Sequence, residues 1–181
     1  FLRSDRADAA ALAARALGLI GGWTECGPLA ECLAHRDPTV VAACEDALWS
    51  IWVRAAGPGD VARLHVAMQF GRDDAWDRAL PVLGEIVAAL PDYAEAQHQW
   101  AIAQHTLGDL AAAQGGYRRA AALNPYHYPA HCALGHIAVD RDEFQAALVA
   151  YEAALRIHPN LVELREIVPA LSQALGKRIV A

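Results

Sequence analysis

From Asp60 to Asn160, small and large apolar residues return every three or four positions, the interval of one helix face. The whole arrangement then returns after 34 residues. Pro91, Pro125 and Pro159 keep that interval (125 − 91 and 159 − 125), as do Ala79, Ala113 and Ala147, and Leu83, Tyr117 and Tyr151. Each copy holds two apolar stripes separated by a polar turn, Leu107-Gly108-Asp109 in one and Asp140-Arg141-Asp142 in the next. Two antiparallel helices per copy are predicted. Ala67, Ala101 and Gly135 on the first helices and Ala79, Ala113 and Ala147 on the second are the small residues where the helices cross. Leu83, Tyr117 or Tyr151 fills the remaining gap. Proline closes each copy by pushing the preceding residue, Leu90, Asn124 or His158, out of helical geometry.

These residues resemble the tetratricopeptide repeat (TPR) family. The resemblance implies an all-α fold, a right-handed α-α superhelix of stacked hairpins, with units 60–93, 94–127 and 128–161. Trp100 and Leu134 are matched apolar anchors of the second and third units. Pro81 falls inside the second helix of the first unit and predicts a kink or a shortened helix there. Asp92 with Glu95, and Asp142 with Gln145, have the spacing of a capping box. Residues 162–181 are expected to form a capping helix to about Leu175, kinked or broken near Pro169. Glu163, Arg165, Glu166, Gln173 and Lys177 would form its polar face.

Before the repeats, 4–20 reads as an amphipathic helix with Ala9, Leu12, Ala13, Ala16, Leu17 and Ile20 on one stripe. Gly21-Gly22 ends it. A short apolar face at Leu29, Cys32 and Leu33 follows, after Pro28. Asp37-Pro38 then caps and opens a helix to about Ala56 that carries Val41, Cys44, Leu48, Ile51 and Trp52. Ala16-Leu17-Gly18-Leu19-Ile20 matches Ala47-Leu48-Trp49-Ser50-Ile51 at a separation of 31 (47 − 16), and Asp-Pro-x-Val stands at 37–40. Residues 1–56 thus resemble the short HEAT repeats of phycobilisome-lyase-like proteins. A helical hairpin without repeat ancestry is the other reading. Only the second helix of the first copy is present, which predicts an array that began upstream. Gly57-Pro58-Gly59 breaks helix at the junction and is too short for a loose linker, so the two arrays should stack.

Composition narrows the function classes. A net charge of −6 disfavours a phosphate-binding surface. Val40 to Val53, the longest apolar run, contains Glu45 and Asp46 and predicts no membrane span. Arg3, Asp5, Arg6 and Asp8 stand where a signal peptide would not place them. Cys26, Cys32, Cys44 and Cys132 have no CxxC spacing and read as free thiols in a reducing, cytoplasmic compartment. No phosphate loop, dinucleotide turn, nucleophile elbow or HExxH is present, and Ser4, Ser50 and Ser172 have no nucleophile context. No catalytic residue, cofactor or nucleic-acid partner is assigned.

The TPR resemblance implies a concave groove lined by Leu64, Met68, Arg72, Glu95, His98, Ile102, His105, Thr106, Cys132, His136 and Asp140. Imidazole and thiolate there are possible zinc or copper ligands. The residues come from separate helices, however, and His127 and His131 flank Pro129, so no metal site is assigned. Arg72 is the only basic groove residue, which argues against a carboxylate clamp for peptide C-termini. Trp52, Trp76 and Trp100 read as core, whereas Trp49 projects. The expected function is a non-enzymatic scaffold binding a protein or peptide, with apolar and some basic character, through this groove. The alternative is a solenoid segment that self-associates, favoured by apolar residues such as Leu12 and Ile20 exposed at a truncated repeat. Bilin attachment, suggested by the HEAT resemblance, is the enzymatic reading, but most such repeats belong to interaction proteins.

Overall fold

The structure, a computed structural model, describes residues 1, 2, 4 and 6–180, with side chains through 176. Arg3, Asp5 and the side chain of Lys177, drawn on above, lie outside the described residues. Among the described residues all regular structure is helical: α1 (Ala7–Ile20), a 3₁₀ turn (Trp23–Glu25), α2 (Cys26–Cys32), α3 (Pro38–Val53), α4 (Pro58–Arg72), α5 (Trp76–Ala89), α6 (Ala94–Thr106), α7 (Leu110–Leu123), α8 (Tyr128–Asp140), α9 (Phe144–Ile157) and α10 (Val162–Val180). Helices α4–α9 form three antiparallel hairpins stacked in order, and α10 packs on α9.

The hairpins close on small residues, as the spacing predicts. Ala67, Ala79, Ala101, Ala113 and Ala147 are all buried. At Gly135 the crossing is tightest: a Cβ there would stand 2.2 Å from the Tyr151 ring. The aromatic thus occupies the volume that its neighbour gives up.

A second device with the same period was not read from the sequence. Asp74, Gly108 and Asp142, again 34 apart (108 − 74 and 142 − 108), have positive φ of 56°, 91° and 58°. In each unit the following amide donates five residues back: Ala75 to Phe70 at 2.8 Å, Asp109 to Gln104 at 2.9 Å and Glu143 to Ala138 at 2.8 Å. The first helix of each hairpin therefore ends in the same left-handed C-terminal motif.

That motif corrects the expected capping box at Asp142, which terminates α8 rather than starting α9. Asp92 does not cap α6 either: it pairs with Arg119, and Glu95 is engaged elsewhere. Pro81 does not shorten α5, whose 14 residues equal the lengths of α7 and α9. Pro169 does not break α10, which runs on past Leu175 to Val180.

In the N-terminal part the expected α1 stripe is rotated. Ala10, Ala11, Ala14 and Gly18 are buried, whereas Leu12, Leu19 and Ile20 are 67%, 78% and 85% exposed. Close approach decides this. A Cβ on Gly18 would stand 2.9 Å from Ala47 Cα, so the contact with α3 selects small side chains and turns Leu12, Leu19 and Ile20 outward, while Leu17 stays half-buried against the same core. Asp37 caps α3 as predicted, accepting from the Thr39 amide at 2.9 Å.

Candidate functional site

Helix α3 lies along the turns that join successive repeat units, and this sets the geometry of the candidate site. Three turns, equivalent by the 34-residue period, dock on it one after another. The Tyr93 hydroxyl donates to the Val53 carbonyl. One period on, the His127 ring stacks on Trp52, with centroids 4.9 Å apart and planes at 21°. One further on, His158 Nε2 lies 2.6 Å from Glu45 Oε1, and Asn160 Nδ2 donates to the carbonyls of Leu33 at 2.8 Å and His35 at 3.0 Å. The N-terminal helices are thus a brace across the array and not one more hairpin stacked on its end.

Under the brace, Glu95, His98 and His127 form a buried cluster in which one ligand-type atom from each lies within 4.8 Å of the others. Its hydrogen bonds fix its character. His127 Nδ1 accepts from the Ala130 amide at 3.2 Å, capping α8, which leaves the ring proton on Nε2. That Nε2 faces Glu95 Oε2 at 3.3 Å, while Gln99 donates to Oε1 at 2.8 Å.

Burial alone would push the Glu95 carboxyl up. The bond from His127 and the nearby His98, whose Nδ1 is 3.9 Å from Oε1, outweigh it and hold Glu95 well below the usual carboxylate range. Burial pushes His127 down, so its ring is neutral. The result is an anion at the N-terminus of α6, solvated by side chains and favoured by the helix dipole. A metal on His127 Nε2 would need the ring proton moved to Nδ1, which faces the Ala130 N–H donor. The trio is therefore built as a hydrogen-bond network, with only His98 Nδ1 left without a partner of its own.

The expected groove residues separate into three groups. Leu64, Glu95 and His98 are buried, at 0%, 2% and 9% exposure, and work inside the protein. Met68, Arg72 and Ile102 line an open depression of about 250 Å³ with Trp76 and Gln99. His105 stands edge-on to Tyr117 beside it, and Thr106 is exposed at the end of α6. Cys132 and His136 line a larger cavity of about 610 Å³ whose other walls are Val41 and Glu45 of α3 and Leu161 before α10. Asp140 is exposed at the end of α8. Burial pushes the Cys132 thiol up to about 11, which keeps it protonated.

The sequence places neither the α3 wall nor His158 and Asn160 at the site, and His127 enters there only as a metal ligand that is not assigned. Their contacts join segments as much as 127 residues apart that share no period. One signal was present: an aromatic or polar side chain in each of the three turns, at Tyr93, His127 and Asn160.

No family model and no curated protein matches the sequence. Solved structures do match. The first TPR of Spaghetti (RPAP3), bound to the HSP90 peptide SRMEEVD, aligns with a TM-score of 0.59 and 22% identity over 65% of this chain and 95% of that one. MamA aligns at 0.61 and 20% identity, over 77% and 84% of the two chains. YrrB, described as a TPR protein with an unusual peptide-binding site, aligns at 0.56 and 17%, over 89% and 82%. At these identities the likeness establishes the fold, a TPR-like helical-hairpin solenoid.

Proposed function

We propose that this chain is a non-catalytic interaction scaffold that holds a protein or peptide segment on its concave side. The observation that carries the reading is a pair of accessible hollows that the first helices of the hairpins help to line. Met68, Arg72 and Ile102 line one, with His105 and Thr106 further along α6, and Cys132 and His136 line the other beside Val41 and Glu45 of α3, with Asp140 further along α8. Half-buried apolar side chains beside a few polar ones suit an extended or helical peptide with apolar and some basic character. The peptide bound by the RPAP3 domain, and the peptide-binding site named for YrrB, support the same use of this fold. Leu64, Glu95 and His98 belong to the support beneath that surface.

The domain division that goes with this reading is HEAT-like hairpins over 1–56, TPR-like units over 60–161 and a capping helix over 162–181. The 31-residue correspondence of α1 with α3 supports the first. Among the described residues no helix is long and apolar enough to cross a membrane. Four free cysteines, three of them buried, suit a reducing compartment such as the cytoplasm.

Selection from a random peptide library on the immobilised chain tests the proposal. Selected peptides should lose at least tenfold in affinity to the Met68→Asp, Ile102→Asp double variant and keep it for Val149→Asp on α9. Equal binding to both variants would move the site off the concave side.

A further inference from the structure

The larger hollow, of about 610 Å³, has the size of a small-molecule site. Its walls come from three places: residues 35–45 around the start of α3, Cys132 and His136 of α8, and residues 158–165 around the start of α10. Val41, Ala42, Leu161 and Leu164 give it apolar surface.

Two acids and two arginines line it, and they differ in what already holds them. Glu45 Oε1 is held by His158 Nε2 at 2.6 Å. Glu163 stands in the first turn of α10, where the helix dipole favours an acid. Arg36 and Arg165 are exposed side chains with no hydrogen bond or ion pair among the described residues. The imidazoles add donors. His35 Nδ1 accepts from the Asp37 amide at 2.9 Å, which leaves the ring proton on Nε2. His136 is exposed, in a T-shaped contact with Tyr151. The Cys132 thiol stays protonated and adds no charge.

The acids of this hollow thus have partners inside the protein, and its arginines have none. An organic carboxylate meets both of its demands. Guanidinium groups offer paired N–H donors that match a carboxylate, and a hydrocarbon body covers Val41 and Leu161. Inorganic phosphate would leave those apolar walls in water. Neither arginine lies on a first helix of a hairpin, the set in which Arg72 is the only basic groove residue.

We infer that this hollow binds an organic carboxylate, with Arg36 and Arg165 on the carboxylate and Val41, Ala42 and Leu161 against its apolar body. The hollow at Met68 and Ile102 plays no part in this, so peptide binding there can fail separately. Isothermal titration of the chain with octanoate and with octylammonium, equal in length and opposite in charge, tests it. Octanoate should bind saturably at one site and shift the backbone amide resonances of 41–45 and 161–165. Octylammonium should bind about tenfold more weakly or worse, and Arg36→Gln with Arg165→Gln should cost octanoate about tenfold or more, as loss of charge-assisted hydrogen bonds does. The Arg15→Gln, Arg118→Gln variant removes the same charge from exposed positions elsewhere and should bind as the wild type does. Acetyl-Leu-Glu-Leu-amide separates the two sources of the group: displacement of octanoate assigns a peptide carboxylate, and no displacement assigns a free acid. Octylammonium binding as tightly as octanoate, octanoate binding unchanged in the Arg36→Gln, Arg165→Gln variant, or no saturable binding of octanoate would each overturn the proposal.

Discussion

The indole of Trp52 and the imidazole of His127 stack at 4.9 Å, 75 positions apart in sequence (127 − 52), and join the N-terminal helices to the middle turn of the repeat array. Both are buried, at 3% and 0% exposure. His127 also caps α8 and supplies a donor to Glu95. One contact thus fixes the brace, a helix start and the buried anion together.

Trp52→Ala removes the stacking surface for His127 and the neighbouring Tyr128 ring, 6.2 Å away. A loss of about 3–5 kcal/mol is expected, the usual cost of deleting a buried aromatic. Urea unfolding followed by circular dichroism measures it. A loss below about 1 kcal/mol would mean that the brace contributes little, since such truncations normally cost several-fold more.

The buried imidazoles give stability a definite pH dependence. Burial depresses His127, and burial together with Arg156 depresses His131, so the folded state refuses protons that the unfolded chain binds below about pH 6.5. Stability from these groups is complete above that value and lost as pH falls through it. Glu95, held below the usual range, keeps its contribution until pH drops below about 4.3, the unfolded carboxylate value. Thermal midpoints should fall on mild acidification, with His127→Gln giving a shallower decline in the same window. A flat wild-type profile between neutrality and the carboxylate range contradicts this assignment.

Gly135→Ala places a methyl group 2.2 Å from the Tyr151 ring, which Ala147 and Leu164 help to hold in the same cluster. Overpacking of about 1–3 kcal/mol is expected. Adding Tyr151→Leu, the residue type that the first unit carries at Leu83, should recover part of it. Additive losses in the double variant would argue against the contact as the cause.

Asp142 holds a left-handed conformation that Gly108 occupies at no steric cost one unit earlier. Asp142→Gly should therefore stabilise the chain by about 1 kcal/mol, the low end of the left-handed penalty for a side chain. Asp74 is a poorer site for the same change because its carboxylate accepts from Trp76 Nε1 at 2.9 Å. Denaturant midpoints of the two variants decide the comparison.

The repeats were legible because their contacts are local. Ala113 meets its partner helix within one hairpin, and a fixed spacing reports that meeting. The brace was not legible, because Glu45 with His158, or Asn160 with Leu33, joins unlike segments through side chains that no period marks. The same cause divided the expected groove. Glu95 and His98 hold concave positions in the repeat pattern, but α3 and the His127 turn enclose them, whereas Ile102, one turn further along α6, stays accessible. On α1, periodicity alone could not tell which face meets α3. Gly18 against Ala47 settles it in favour of the small residues.

Hydrogen–deuterium exchange of the chain with and without a selected peptide tests the concave-side reading most directly. The account predicts added protection in α4, α6 and α8, strongest around Met68, Ile102 and His136, extending to the stretch of α3 that carries Val41 and Glu45. Protection confined to the second helices α5, α7 and α9, with α4, α6 and α8 unchanged, would contradict it.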